Sequence, residues 1–280
     1  MKAEFKSRHS TPLLALRPGR GDPSGPFNRA PASRHTQAVA ASLFARRAAL
    51  LLAVTVASCS SPSRPTTAEE TGGPNSLSEA ERAAGWRLLF DGRTTAGWRG
   101  FRQASMPAGW TVVDSALTRT GGGGDVITID QFASFELSLE WQIAAGGNSG
   151  IMFRVSESAD AAFLTGPEMQ VLDDAGHPDG ANPLTAAGAC YGLYAPAANV
   201  ARPAGAWNAV GLIVRGAHVE HWLNGVKIVE YELGSDDWMA RLRVSPFRDA
   251  PGYGREPRGH IVLQDHGDRV AYRSVKIRVL

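Results

Sequence analysis

The feature that most constrains this chain is a series of short segments, between residues 84 and 280, in which apolar and polar residues alternate. The segments recur at intervals of roughly ten residues, separated by turn-forming Gly, Pro, Asn or Asp. Alternation places successive side chains on opposite faces of a strand. Asn224 and Gly225 lie between two of these segments, and this dipeptide is a strong hairpin signal. Long helical periodicity is absent from the sequence.

These observations predict an all-β domain, either a jelly roll or a sandwich of two antiparallel sheets. An opening strand is expected within residues 85–92. The further strands are expected at residues 110–113, 116–120, 125–128, 135–143, 150–155, 168–172, 207–215, 218–223, 226–232, 260–264 and 271–279. Two long Gly/Pro/Asp-rich connections, 174–189 and 236–257, are expected to border a functional cleft, because long connections in compact domains are usually functional.

The first quarter of the chain lacks the pattern of a folded domain. Residues 1–45 have no period, and a pair of arginines followed by a short apolar run then ends at Cys59. This arrangement predicts a secretory signal over residues 46–59, too short to span a membrane, with a cysteine placed as in a bacterial lipoprotein. We expect Cys59 to be lipidated, and residues 1–45 to precede the true translation start or to form a disordered extension. Ser60 favours an outer-membrane lipoprotein facing the periplasm.

Residues 60–83 read as a flexible Pro/Ser/Thr/Gly linker, within which Ser78 and Glu81 have the spacing of a capping box for one helical turn. Residues 1–58 hold nine Lys/Arg against two Asp/Glu, whereas the rest holds twenty against twenty-five. The mature part is therefore mildly acidic, which argues against a nucleic-acid partner. Lipidation of Cys59 would leave Cys190 without a disulfide partner, so we expect Cys190 to be a small buried hydrophobic residue.

Two neighbouring strands carry polar residues where a plain surface strand would not need them. Strand alternation predicts that Asn148, Met152 and Arg154 share one face, while Glu168 and Gln170 share the polar face of the other strand. Together they would form a polar floor backed by an apolar core, an arrangement typical of a sugar-binding cleft. A common glycosidase uses two carboxylates, and this strand offers only Glu168. A structural or solvated role for Glu168 stays open.

Three further clusters could add to such a site. Gln264 and His266 alternate with Asp265, so the first two could face the cleft and the carboxylate could orient the imidazole; equally, the acids could simply cap a turn. Tyr191 could stack on a sugar or pack in the core. Asp173 and His177 follow the strand of Glu168 as supporting or loop ligands. No motif indicates zinc, a phosphate loop or an EF-hand, so no cofactor is predicted, although calcium held by loop oxygens stays open.

Taken together, six motifs resemble the 3-keto-disaccharide hydrolase domain family, long catalogued as a domain of unknown function within the concanavalin A-like lectin/glucanase superfamily. The resemblance covers residues 84–280 and rests on the runs GWRLLFDGRTTAGW, GNSGIMFR, PEMQVLDD, GACYGLY, AGAWNAVGLIVRGAHVEHWLNGVKIVEY and GHIVLQDHGDRVAYRSVKIRVL, in this order. It implies a concanavalin A-like jelly roll with a concave-face cleft, an envelope location and cleavage of glycosides oxidised to a ketone at carbon 3.

The resemblance also implies a chemistry for which one carboxylate is enough. A ketone at carbon 3 acidifies the hydrogen on carbon 2, so a base can remove it, the group on carbon 1 leaves by elimination, and water then adds. We take Glu168 as the first choice of base and His266 as the second. A separate sugar 3-oxidoreductase would supply the ketone. The positions expected to bind substrate are Asn148, Arg154, Gln170, Asp173, His177, Tyr191, Gln264 and Asp265. The alternative is a non-catalytic carbohydrate-binding lipoprotein of the same fold.

Overall fold

The computed structural model describes residues 73–280. The predicted signal, the lipidation site Cys59 and the linker up to residue 72 lie outside these residues. None of the helices formed by residues 73–280 is both long and apolar enough to cross a membrane.

A short helix, α1 (Glu79–Ala83), precedes the first strand. The Ser78 hydroxyl accepts a hydrogen bond from the Glu81 backbone N–H at 3.2 Å, and the Glu81 carboxylate accepts one from the Ser78 N–H at 2.8 Å. The predicted capping box is therefore confirmed. Glu81 also pairs with Lys276, and Asn75 accepts a hydrogen bond from the Ser274 N–H at 2.8 Å. The end of the expected linker thus packs on the folded domain.

Residues 87–279 form two antiparallel sheets, which confirms the predicted sandwich. The larger sheet contains the strands β1 (Arg87–Leu88), β3 (Trp110–Val113), β4 (Ala116–Arg119), β6 (Phe135–Ile143), β9 (Asn208–Arg215), β10 (His218–Leu223), β11 (Val226–Glu232) and β13 (Val270–Val279). Their order in the sheet is β11-β10-β9-β6-β13-β4-β3, with β1 paired to another part of β13.

The smaller sheet contains the strands β2 (Trp98–Gly100), β5 (Val126–Thr128), β7 (Asn148–Val155), β8 (Glu168–Leu172) and β12 (His260–Leu263). Their order is β2-β5-β12-β7-β8, and β7 and β8 are the two polar strands singled out above. Helix α2 (Asp236–Leu242) and two 3₁₀ turns, Ala162–Leu164 and Pro178–Ala181, lie in the connections. Strand β2 and helix α2 were not predicted, because each is too short to show a period.

The core lies between the sheets and consists of side chains from alternate strand positions. Trp141 and Phe135 of β6 and Phe153 of β7 are at most 1% exposed. Phe135 meets Phe153 edge to face, with ring centroids 6.4 Å apart. Burial of side chains of this size contributes roughly 2–3 kcal/mol each. A second, smaller apolar cluster of the smaller sheet contains Met152 and Val262.

Strand β7 contains a bulge that alters the predicted faces. Val155 lies opposite His260 and Met152 lies opposite Val262, so two residues of β7, Phe153 and Arg154, oppose a single residue of β12. Arg154 has a φ of 51°, a left-handed conformation unusual for a residue with a side chain. Simple alternation therefore fails here, and the prediction that Arg154 shares a face with Asn148 is wrong.

Candidate active site

Polar residues of β7 and β8, together with Gln264 just after β12, line a cleft of about 290 Å³. The 3₁₀ turn after β7 and the segment after α2 supply its apolar wall. The lining residues are Asn148, Phe163, Leu164, Glu168, Gln170, Tyr191, Pro246, Phe247, Gln264 and His266. Six of the ten predicted site residues are therefore brought together here.

Glu168 lies on β8 directly beside a glycine of β7. In the pairing of the two strands, Glu168 lies opposite Met152. Gln170, the next residue of β8 on the same face, lies opposite Gly150. A methyl group added to Gly150 would stand 2.0 Å from Glu168 Oε1 and 2.6 Å from Cδ. The carboxyl group thus occupies the space that any larger side chain at position 150 would need.

The environment of Glu168 favours the neutral acid. The side chain is 5% exposed, and within residues 73–280 no group donates a hydrogen bond to its carboxylate. Burial, followed by the negative charges of Asp125 and Asp179, raises the pKa of Glu168 to about 8. A carboxyl with a pKa near the working pH can both accept and return a proton. Neither Asp125 nor Asp179 was predicted, and only the folded chain brings them near Glu168.

Two amide side chains in the cleft have carbonyl oxygens with no partner. Asn148 Oδ1 and Gln264 Oε1 are both buried, and neither accepts a hydrogen bond from the described part of the chain. Their backbones are fixed: the Asn148 N–H donates to Asp268 at 3.0 Å, and the Gln264 N–H donates to the Gly150 carbonyl at 3.0 Å. Buried polar atoms are normally satisfied, so these two indicate a ligand with hydroxyl groups.

The third amide, Gln170, is held by the protein itself. Its Nε2 donates to the Thr185 carbonyl at 3.1 Å, and its Oε1 accepts from the Val171 N–H at 3.2 Å. Gln170 therefore shapes the wall of the cleft, and its amide is less free to bind a substrate than the other two.

His266 lines the cleft, and His177 lies behind it. The two imidazole centroids are 6.4 Å apart, in an edge-to-face arrangement. His177 Nδ1 accepts a hydrogen bond from the Asp179 N–H at 3.1 Å, which caps a 3₁₀ turn. His177 is thus a supporting residue of the loop and does not line the cleft.

The two predicted carboxylate ligands, Asp173 and Asp265, are turned away from the cleft. Asp173 accepts a hydrogen bond from the Gly146 N–H at 2.8 Å. Asp265 pairs with Arg119 and accepts one from the Gly124 N–H at 3.0 Å. Both acids stabilise loops, and neither lines the cleft. The expectation that they contact substrate is corrected: for Asp265 the turn-forming explanation is the one the geometry favours.

Aromatic and aliphatic side chains form one wall of the cleft. Tyr191 packs edge to face on Phe247, with centroids 6.2 Å apart, and its N–H donates to the Glu168 carbonyl at 3.1 Å. Phe247 lies in the long connection 236–257, which was expected to border the cleft. Phe163 and Leu164 were not predicted, because their sequence carries no signal beyond an isolated apolar pair.

Two titratable residues behind this wall, Cys190 and His221, are kept neutral near pH 7 by burial. Cys190 is free and buried, and burial raises the pKa of its thiol to about 12, as expected for a small buried hydrophobic residue. His221 is also buried, and desolvation lowers its pKa to about 4. Its Nδ1 lies 2.9 Å from the Gly188 carbonyl oxygen. Neither residue lines the cleft.

The metal-binding potential of residues 73–280 lies elsewhere. Their one group of three suitable side chains, His218, Glu220 and Glu230, lies on the β10–β11 hairpin. The ammonium group of Lys227 lies 2.6 Å from Glu230 and 3.7 Å from Glu220, so a cation of the protein already neutralises these carboxylates.

A two-sheet sandwich with a small polar cleft, containing one carboxyl, one imidazole and two free amides, defines a carbohydrate-active β-sandwich. The chain matches the family described as the 3-keto-alpha-glucoside-1,2-lyase-like domain over residues 85–278, and it belongs to this family. The resemblance carried by the six motifs is thereby confirmed.

Similar proteins agree with this assignment. The chain is 31% identical over 183 residues to the 3-keto-disaccharide hydrolase of Bacteroides thetaiotaomicron, a match that covers 57% of this chain and 63% of that protein. A crystal structure from Parabacteroides distasonis ATCC 8503, assigned by its description to the glycosyl hydrolases, has a TM-score of 0.69 and 34% identity, covering 74% of this chain and 99% of that one. A second from the same organism has a TM-score of 0.58 and 25% identity, covering 70% and 99%.

Proposed function

We propose that this protein cleaves glycosides whose sugar carries a ketone at carbon 3, by elimination followed by addition of water. The observation that carries the proposal is Glu168, the only acidic side chain among the described residues that line the cleft, with a pKa of about 8. Hydrolysis through two carboxylates would need a second acid across the scissile bond. Elimination from a 3-keto sugar needs one base.

In the proposed reaction, Glu168 removes the proton from carbon 2, and the electron pair of that C–H bond forms an enolate with the carbon 3 ketone. The enolate then collapses to the ketone, a double bond forms between carbons 1 and 2, and the bond from carbon 1 to the leaving oxygen breaks. His266 supplies the proton to that oxygen. Water adds at carbon 1 and a proton returns to carbon 2, so the net change is hydrolysis.

Asn148 and Gln264 fit the role of substrate ligands. Each amide has an unpartnered oxygen that can accept from a sugar hydroxyl, and each NH₂ can donate to the oxygen on which enolate charge develops. The apolar wall at Phe247 would pack against a sugar face and exclude water.

Deuterium labelling tests the chemistry. The protein is incubated with a 3-keto-disaccharide in D₂O, and the released 3-keto sugar is examined by NMR and mass spectrometry. Elimination and hydration place deuterium on carbon 2, whereas direct displacement at carbon 1 leaves hydrogen there. Incubation of the product alone, with and without protein, corrects for exchange that occurs after cleavage.

Glu168→Gln is the matched variant, because it keeps the size of the side chain and removes the base. We expect its kcat to fall by about 10³-fold or more, in the range typical of a lost general base. Full activity in this variant would refute the assignment of Glu168 as base. If both the wild type and Glu168→Gln bind 3-keto sugars and neither cleaves them, the alternative function of a carbohydrate-binding lipoprotein would be favoured.

We also propose an envelope location and a reaction partner. Residues 46–59 and Cys59 have the pattern of a lipoprotein signal, which supports attachment to the outer membrane facing the periplasm. A separate sugar 3-oxidoreductase would have to form the ketone, since the proposed reaction consumes it. Labelling with palmitate tests the anchor. The wild type should incorporate the label, whereas Cys59→Ala should not incorporate it and should be released into the soluble fraction.

A further inference from the structure

A second cavity, of about 500 Å³, lies at the other end of β7. It is bounded by the β9–β10 turn, the end of β11, helix α2 and residues 253–257. Arg154, which lines this cavity, is six positions along β7 from Asn148 in the cleft, a distance of roughly 20 Å along an extended strand. The lining also includes Gly216, Gly234, Arg255 and Glu256.

Arg154 is 7% exposed and is only partly satisfied by the protein. Its Nε and Nη2 donate to the Ala133 carbonyl at 3.0 and 2.6 Å, and Nη2 also donates to the Gly216 carbonyl at 2.7 Å. No group within residues 73–280 accepts a hydrogen bond from Nη1, and no carboxylate among them forms an ion pair with this side chain.

A buried positive charge without a counter-ion is costly, and a guanidinium cannot avoid the cost by losing its proton. The left-handed backbone of Arg154, with a φ of 51°, is a further cost. The hydrogen bonds from Nε and Nη2 to two carbonyl groups have a structural role, because they join the ends of three strands. These hydrogen bonds do not account for Nη1, which has no partner at the cavity wall.

The charges around the cavity complete the pattern. Arg255 is exposed and Glu256 is half-buried, and neither side chain forms a hydrogen bond or ion pair with residues 73–280. With Arg154, the lining carries two positive charges and one negative charge. The wall therefore has a net positive charge. Arg154 is the most buried of these three residues, and it is also the one whose Nη1 donor has no partner.

We propose that this cavity is a second binding site, for the oxyanion of a small solute, with Nη1 of Arg154 as its anchor. The shared chemistry is a carboxylate or phosphate group, both of which pair well with guanidinium. This inference is independent of the reaction proposed for the cleft, because it uses none of the cleft residues.

Isothermal titration calorimetry at constant ionic strength tests the site with glucuronate, inorganic phosphate and glucose. Glucose matches glucuronate except for the carboxylate, so any binding that it shares is assigned to the cleft. We expect heat from glucuronate or phosphate that glucose does not give, and the stronger of the two identifies the preferred oxyanion. Absence of such heat from both anions overturns the proposal.

Two surface variants give effects of opposite sign. Glu256→Gln removes the only negative charge of the lining and should tighten anion binding about threefold, whereas Arg255→Gln should weaken it about threefold, the size expected for partly exposed charges. Neither should change the Tm, since neither side chain is bonded. Arg154→Gln should weaken binding tenfold or more. Equal affinities in wild type, Arg255→Gln and Glu256→Gln would also overturn the proposal, even if Arg154→Gln does not fold.

Discussion

Gly150 leaves the space that the Glu168 carboxyl group occupies, and an alanine there would take that space away. The added methyl would stand 2.0 Å from Oε1, 2.6 Å from Cδ and 2.9 Å from Cγ. All three distances are below 3.0 Å, and Cβ atoms in proteins essentially never approach other heavy atoms that closely. The backbone of Gly150 belongs to an ordinary strand, so alanine would act through this contact and not through φ.

The carboxyl group must therefore move by roughly 1 Å or adopt another rotamer, and a misplacement of this size costs about 10²-fold in rate. A loss of 10²-fold corresponds to about 2.7 kcal/mol in the activation free energy. Overpacking should also lower the free energy of unfolding by about 1–3 kcal/mol. Steady-state kinetics on a 3-keto-disaccharide and urea unfolding measure the two effects separately.

Gly122→Ala is the control, because a methyl group added there meets nothing within 4 Å; it should leave both kcat/KM and stability close to wild type. Combining Gly150→Ala with the shorter side chain of Glu168→Asp should restore part of the lost stability without restoring the rate. If Gly150→Ala loses stability but keeps kcat/KM within about twofold, which is about 0.4 kcal/mol, then Glu168 is not the base.

Three further results are expected. Because the pKa of Glu168 is raised to about 8, kcat/KM should increase as pH rises through 8. The free energy of unfolding should fall as pH rises from about 4.5 to 8, because the folded state keeps the proton that the unfolded state loses. Glu168→Gln should remove both trends. Because burial lowers the pKa of His221 to about 4, stability should be lost as pH falls from 6.5 toward 4, and urea unfolding of His221→Gln should show a smaller loss. Ser149→Ala removes a hydroxyl 2.8 Å from the Tyr272 hydroxyl and 2.7 Å from the Gln264 carbonyl, so thermal unfolding should show a loss of about 2 kcal/mol.

Most of the fold could be predicted from alternation, because long strands with one buried face repeat the pattern several times. The bounds of β6, β8, β10 and β11 agree with prediction to the residue. Helix α2 has only seven residues, fewer than a helical period needs to be recognised, although Ser235 followed by two aspartates is an N-terminal signal.

The site was predictable only in part. Asn148, Glu168 and Gln264 follow the alternation of their strands and meet as expected. Arg154 does not, because a bulge depends on the pairing of two strands distant in sequence and leaves no local mark. The pKa of Glu168 is raised by burial and by the charges of Asp125, 43 residues earlier, and Asp179, 11 residues later, and only the folded structure brings these groups together.

The position of β13 in the larger sheet has a consequence for the order of folding. This strand is the last along the described chain, yet it lies in the middle of the sheet, paired with β6 on one side and with β4 and β1 on the other. The two halves of the sheet therefore cannot join while β13 is still being synthesised, and until then β6 and β4 present unpaired edges. Contacts between such distant segments slow folding, so the nascent chain must remain protected from association until β13 closes the sheet.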